Sequence, residues 1–185
     1  MNMWNHKRKN MRRYDLTAKM YEMRYAEEQE VKYKAALKSL NVSRSSRVLD
    51  VGCGTGLFFR HIFTDVQSVV GVDVSAKLLR QAKERVRVLN NVHLVQADAD
   101  NLPFTDSYFD LVFAFTLLQN MPNPLKTLNE IKRNTKVGTF LVLTGLKKFF
   151  SLESFTVLLE NAGLTLVSIE NADDLKCYIA TTVRN

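Results

Sequence analysis

The sequence has 185 residues, of which 46% are apolar and 24% charged, and its formal net charge is +7. Those proportions are those of an ordinary globular chain able to build its own core, and they exclude a disordered, collagen-like or disulfide-scaffold protein. No apolar run reaches the ~18 residues of a membrane span, no signal-peptide core opens the chain, and two cysteines, Cys53 and Cys177, are too few for a secreted framework. The expectation is a soluble cytoplasmic protein with reduced thiols.

The charge is unevenly placed. Lys7, Arg8, Lys9, Arg12 and Arg13 precede the first acid, Asp15, and without those five the chain carries 21 basic against 19 acidic residues. Residues 1–13 therefore read as a basic flexible tail. It is either a phosphate-binding arm or a frayed terminus. From Tyr14 to Leu40 there is no Gly and no Pro, which predicts one or two helices with Val31, Ala35 and Leu40 inward. A polar break follows. Arg47 to Val51 is a short apolar strand that runs into glycines, and a helix is expected after them.

Strands and helices then alternate. Val69 to Val74 has the apolar character of a buried parallel strand. Ser75 is placed to cap a helix whose inner side holds Leu78, Leu79, Ala82, Val86 and Leu89. Val92 to Ala97 and Phe109 to Phe115 are the third and fourth strands. Asn123 followed by Pro124 is a helix start, with Leu125, Leu128 and Ile131 on its buried stripe. Thr139 to Thr144 is the fifth strand. Ser151 caps another helix, which ends near Gly163. Leu164 to Ile169 and Cys177 to Val183 close the chain as two strands with no helix between them. So short a connection cannot join adjacent parallel strands, so the final strand is expected to be antiparallel. The pattern is α/β: a seven-stranded, mostly parallel sheet with helices on both faces and an N-terminal helical extension. One domain is expected over 14–185, with 14–40 as a helical lid.

The strongest chemical signal is Asp50-Val51-Gly52-Cys53-Gly54-Thr55-Gly56, a strand running into a turn with three glycines. Glycines permit tight turns and close approach of a ligand, and a following helix N-terminus would favour a negative group. Asp73 lies 21 residues beyond Gly52, at the end of the second strand, where a carboxylate can accept hydrogen bonds from ribose hydroxyls. A dinucleotide fingerprint would need a glycine at position 57, which is Leu57. The order Asp50-x-Gly52-x-Gly54-x-Gly56 instead resembles the first motif of class I S-adenosylmethionine-dependent methyltransferases of the menaquinone/ubiquinone type. Three further segments match in order: Val70 to Ser75, Gln96 to Phe104 and Phe109 to Phe115. Near the N-terminus, Tyr14-Asp15-x-x-Ala18-x-x-Tyr21 resembles a segment that folds over the cofactor in that branch.

The resemblance implies a Rossmann-like fold and S-adenosylmethionine as cofactor. It implies cofactor-binding roles for Tyr14, Asp50, Gly52, Gly54, Gly56, Asp73, Val74, Asp98, Ala99 and Phe115, with Asp73 at the ribose, Asp98 at the adenine amino group and Tyr14 at the methionine carboxylate. Asp50 also reads as a structural brace for the glycine loop, and Asp98 and Asp100 as turn-formers. The acceptor side is expected near Phe115, Thr116, Gln119 and Asn120, with Gln119 and Asn120 either orienting an acceptor or capping the loop before Asn123. Family members that methylate exocyclic amines or glutamine amides carry an Asn/Asp-Pro-Pro-aromatic segment there. This chain has Phe115-Thr116-Leu117-Leu118, which argues against those acceptors.

No cap insertion follows the fifth strand, so an open site is expected. Between Asn123 and Phe150 stand Lys126, Lys132, Arg133, Lys136, Lys147 and Lys148 against one acid, Glu130. Together with residues 1–13 they suggest RNA or another translation component as acceptor; a quinone-type small molecule and a non-catalytic partner subunit are the alternatives. The pattern also resembles minimal tRNA and rRNA methyltransferases, some of which need a small zinc-ribbon activator. The edge strand at 92–97 would be its docking site. Cys53 and Cys177 read as buried fillers, and His6, His61 and His93 are scattered, so no metal is expected.

Overall fold

The computed structural model describes residues 3–38 and 40–185, without the side chains of 3, 4, 6 and 13–27. A helix, α1, runs Met3–Lys38. Seven strands follow: β1 Arg47–Val51, β2 Ser68–Asp73, β3 Val92–Gln96, β4 Phe109–Ala114, β5 Thr135–Leu146, β6 Leu164–Glu170 and β7 Cys177–Arg184. They form one sheet in the order β3-β2-β1-β4-β5-β7-β6. β1 to β5 are parallel to one another, and β7 is antiparallel to both β5 and β6. The chain reverses direction between β1 and β4. The carboxyl ends of these strands therefore open a crevice at the switch point, where ligands bind in open α/β sheets.

Three helices occupy the crossovers, and each starts as its sequence dictates. Ser75 accepts a hydrogen bond from the Leu78 N–H (3.1 Å) to open α2, Ala76–Arg85. Asn123 accepts from the Lys126 N–H (3.1 Å), with Pro124 at the first position of α3, Pro124–Asn134. Ser151 accepts from the Ser154 N–H (3.1 Å) at the start of α4, Leu152–Asn161. Each cap satisfies a donor that the helix itself leaves unpaired.

The sheet separates two apolar layers, and strand alternation assigns residues to them. Val48, Phe113, Phe115, Val142 and Ile179 face one side, with Phe58, Phe59, Tyr33 and Ala36 packed on them. Leu49, Val51, Val112, Leu141 and Leu143 face the other, under Leu128, Ile131, Phe155 and Leu159 of α3 and α4. The β4–β5 pairing shifts register between Phe109, opposite Thr135, and Leu111, opposite Phe140, so the extra residues lie in β5; Phe109 packs with the second group.

Three expectations are corrected. The helix begins at Met3, so residues 3–13, read as a flexible tail, are its first turns. Within α1, Val31 is exposed; Gln29, Lys32, Tyr33 and Ala36 are buried instead, one face at helical spacing. After the glycine turn there is no α-helix. Two short 3-10 turns, Phe59–His61 and Phe63–Asp65, take its place, because Phe58, Phe59 and Ile62 all insert into the core.

Gly71 in β2 shows how tight that insertion is. A Cβ there would lie 2.4 Å from Phe59 Cζ and 3.0 Å from Cys53 Sγ. Gly71→Ala should therefore destabilise the protein by about 1–3 kcal/mol, the usual result of overpacking. In urea unfolding, the double change with Phe59→Leu should recover a good part of the loss.

Candidate functional site

The crevice is lined from three directions: by the glycine turn after β1, by the ends of β2, β3 and β4, and by α1. The Gly52 and Cys53 N–H groups donate to Val72 O (2.8 and 3.0 Å), which pins the turn to β2. Asp73 then accepts from the Gly54 N–H (2.9 Å) and the Ser75 N–H (2.8 Å), so one carboxylate ties the glycine turn to the start of α2. Gly54 has φ +56, and no atom lies within 4 Å of where its Cβ would be. The left-handed backbone requires glycine there, and the open space beside it is the crevice.

Asp50, at the end of β1, is 2% exposed. Burial, helped by the negative charge of Asp73, pushes its carboxyl up to about 8. On the far side, Lys7 of α1 donates to both oxygens of Asp98 (2.6 and 2.8 Å) and to Asp100 (2.5 Å). The second Asp100 oxygen accepts from the Thr127 hydroxyl (2.5 Å). The carboxylate that the resemblance assigns to an adenine amino group is thus held by a lysine of the N-terminal helix.

Asp50, Gly52, Gly54, Asp73, Val74, Asp98, Ala99, Phe115, Thr116 and Asn120 all line the crevice. Gly56 does not. Its φ of +74 makes the turn, and it packs against Phe59 and Ala82. Gln119 is not on the lining either: its amide donates to Thr116 O (2.6 Å), as does that of Asn120 (2.8 Å). Both side chains brace Thr116, whose N–H in turn donates to Thr144 Oγ1 (2.7 Å). The Tyr14 side chain lies outside the described residues. Sequence reading missed Lys7, Asn10, Met11, Gln29 and Tyr33, all from α1. The spacing 29, 32, 33, 36 was the available signal, but Gln and Lys on that stripe make it look solvated.

Around Phe115 the crevice is apolar. Phe115 packs edge-on to Tyr33 with ring centroids 4.9 Å apart, and both touch Phe58. Leu117, Met121 and Met11 complete this wall.

Four of the six basic side chains between 123 and 150 are engaged internally. Lys132 donates to Ala162 O, Arg133 pairs with Glu130 and Asp106, Lys136 pairs with Asp110, and Lys147 donates to Ala172 O (2.8 Å). The site is also not open, because α1 lies across it. Both thiols are buried, and burial pushes them up, Cys53 well above its usual range, so neither is a nucleophile. Among the described residues no three His, Cys, Asp or Glu are grouped to hold a metal, and no helix is long and apolar enough to cross a membrane.

These residues fit S-adenosylmethionine. Glycines leave room for close approach, Asp73 is fixed where ribose hydroxyls would lie, and Asp50, Asp73 and Asp98 set acidic groups around a cationic ligand. When bound, the cofactor supplies a methyl group already activated on a sulfonium. The chain's own task is then to hold an acceptor in line with it and to keep water out, and such alignment can supply about 7–11 kcal/mol.

Fold and crevice together are those of a class I S-adenosylmethionine-dependent methyltransferase. Residues 49–143 match the family model described as "Methyltransferase domain", and the chain belongs to that family. A demethylmenaquinone methyltransferase of Staphylococcus saprophyticus is 38% identical over 112 residues, 59% of this chain and 48% of that protein. A malonyl-[acyl-carrier protein] O-methyltransferase of a Marinomonas species is 33% identical over 146 residues, 78% of this chain and 54% of that protein. The chain thus spans about half the length of these curated relatives. Among solved structures, a SAM-dependent methyltransferase from Aquifex aeolicus superposes with a TM-score of 0.75 at 22% identity, over 83% of this chain and 89% of that one. A chain from the complex of the Haloferax volcanii Trm112 methyltransferase activator with a methyltransferase gives 0.79 at 19% identity, over 92% and 96%. Both likenesses are of fold.

Two predictions follow from the acids. The folded-state value of Asp50, about 8, lies above its ordinary 3.8. The native protein therefore holds an extra proton between those limits, and its stability falls as pH rises across them. Asp50→Asn should flatten the decline of Tm between about pH 5 and 8. A cation in the crevice favours the ionised carboxyl, so S-adenosylmethionine affinity should rise with pH toward 8 in the wild type and not in the variant. Asp73→Asn should weaken cofactor binding by about tenfold or more, because it also replaces one of the two oxygens that accept from the Gly54 and Ser75 N–H groups by an NH2 donor; isothermal titration measures it.

Proposed function

We propose that this chain transfers the methyl group of S-adenosylmethionine to a small acceptor with an apolar body. The observation that carries this reading is the acceptor end of the crevice, an aromatic and Met/Leu wall roofed by α1. The names of the relatives, a demethylmenaquinone and a malonyl-[acyl-carrier protein] methyltransferase, support it. The argument for an RNA acceptor rested on a free basic arm and a free basic face. Lys7 is instead spent on Asp98 and Asp100, and most of the 123–150 charges have internal partners.

A second reading concerns activation. β3 is an edge strand with one side unpaired, and a methyltransferase of closely similar fold is solved with an activator protein. A zinc-ribbon partner pairing along residues 92–97 would use that edge.

The test is methyl transfer from labelled S-adenosylmethionine into an extract of cells lacking the gene, using the purified chain. Label is expected in the organic phase. Ribonuclease-sensitive label would overturn the small-acceptor reading. Full activity of the purified chain on its own would remove the case for an activator.

A further inference from the structure

Lys32 is 1% exposed, among the largest fully buried side chains of the molecule. A buried lysine is rare and needs compensation. Here compensation is incomplete. Its amino group reaches Thr116 Oγ1 (3.3 Å) and Gln29 Oε1 (3.4 Å), both uncharged. The nearest carboxylate, Glu28, is 3.9 Å away and is held at 2.7 Å by a second cation, Lys176. Two ammonium groups thus share one acid behind Thr116, a residue of the crevice lining.

The group on which Lys32 acts is itself unusual. Thr116 has φ +56, a left-handed conformation that costs a β-branched residue free energy and tends to survive at functional sites. Its backbone is held by Thr144, Gln119 and Asn120, as described above. Thr116 lines the crevice beside Phe115. Lys32 has only protons to offer, so Thr116 Oγ1 accepts from it. The hydroxyl proton is then left to donate elsewhere, and among the described residues none accepts it. The result is a donor polarised by a buried positive charge, held in place at strain, on the wall where an acceptor must lie.

We infer that Thr116, with Lys32 behind it, recognises an ionised oxygen of the acceptor, a carboxylate or phenolate carried on an apolar body. Thr116 would touch the substrate; Lys32 is a positioning residue that orients and polarises its hydroxyl. The crevice is then polarised along its length, acidic where the cationic cofactor fits and basic where the acceptor lies. This inference rests on the small-acceptor reading and narrows it to anions.

The experiment measures binding to the full chain in the presence of S-adenosylhomocysteine. The probes are two anions, 1-naphthoate (a carboxylate) and 2,4-dinitro-1-naphthol (ionised at neutral pH), each paired with its neutral methyl ester or ether. At least one anion should bind about tenfold or more tightly than its methyl derivative, the scale of one charge-assisted hydrogen bond. The anion that shows the preference distinguishes carboxylate from phenolate. Lys32→Met and Thr116→Val should each abolish that preference while leaving S-adenosylhomocysteine affinity in place, and Thr116→Ser should keep it. Equal binding of anion and neutral partner by the wild type, or binding of neither, overturns the inference. So does a Lys32→Met protein that retains the preference, or one that loses S-adenosylhomocysteine binding as well, which makes Lys32 purely structural. The Thr116 pair keeps the test open should Lys32→Met fail to fold. The small-acceptor reading fails separately, by ribonuclease-sensitive label in the extract.

Discussion

Two carboxylates, Asp50 and Asp73, end neighbouring parallel strands beside a turn that contains three glycines, and the architecture of the site depends on this crowding. Asp73 is satisfied by two backbone N–H groups. Asp50 is buried among apolar neighbours, and the charge of Asp73 adds to the cost of ionising it. The arrangement is unfavourable in a protein that binds nothing. It becomes favourable when a cation and a set of ribose hydroxyls occupy the crevice. The glycine turn has the same logic: left-handed backbone at Gly52 and Gly54 keeps side chains out of the crevice lining, while Gly56 leaves room for Phe59.

The second organising element is α1. It supplies Lys7, Asn10, Met11, Gln29 and Tyr33 to the lining of the crevice. Lys7 neutralises Asp98 and Asp100, so the helix is bound to the sheet through the groups that line the adenine end. From the same helix, Tyr33 lines the crevice and Lys32 is buried behind Thr116. One element therefore brings a lysine to Asp98 and Asp100 and another to Thr116.

Much of the framework was legible because it rests on local chemistry. Ser75, Asn123 and Ser151 cap helices by their own side chains, and short apolar runs between glycines and caps have few alternatives to buried strands. The antiparallel last strand followed from connection length alone. Other features were not legible, because they depend on what lies opposite in space. Whether residues 57–65 continue as an α-helix was decided by Phe58, Phe59 and Ile62 entering the core. Whether the lysines between 123 and 150 are free was decided by carbonyls and acids from distant segments. Gln119 read either as an acceptor ligand or as a cap for the loop, and the fold turned its amide onto Thr116 O.

By itself, the sequence determined the α/β order, the seven strands, the glycine turn and the acids at the strand ends, since caps, periodicity and backbone permissiveness act over a few residues. Only the tertiary structure decided which residues of the N-terminal helix line the crevice, that Lys7 is held by Asp98 and Asp100, and that Lys32 is buried behind Thr116. A charged side chain in a helix reads as solvated until a partner appears. Those partners stand 84 residues or more away in the chain, and only the packing of the sheet brings them together.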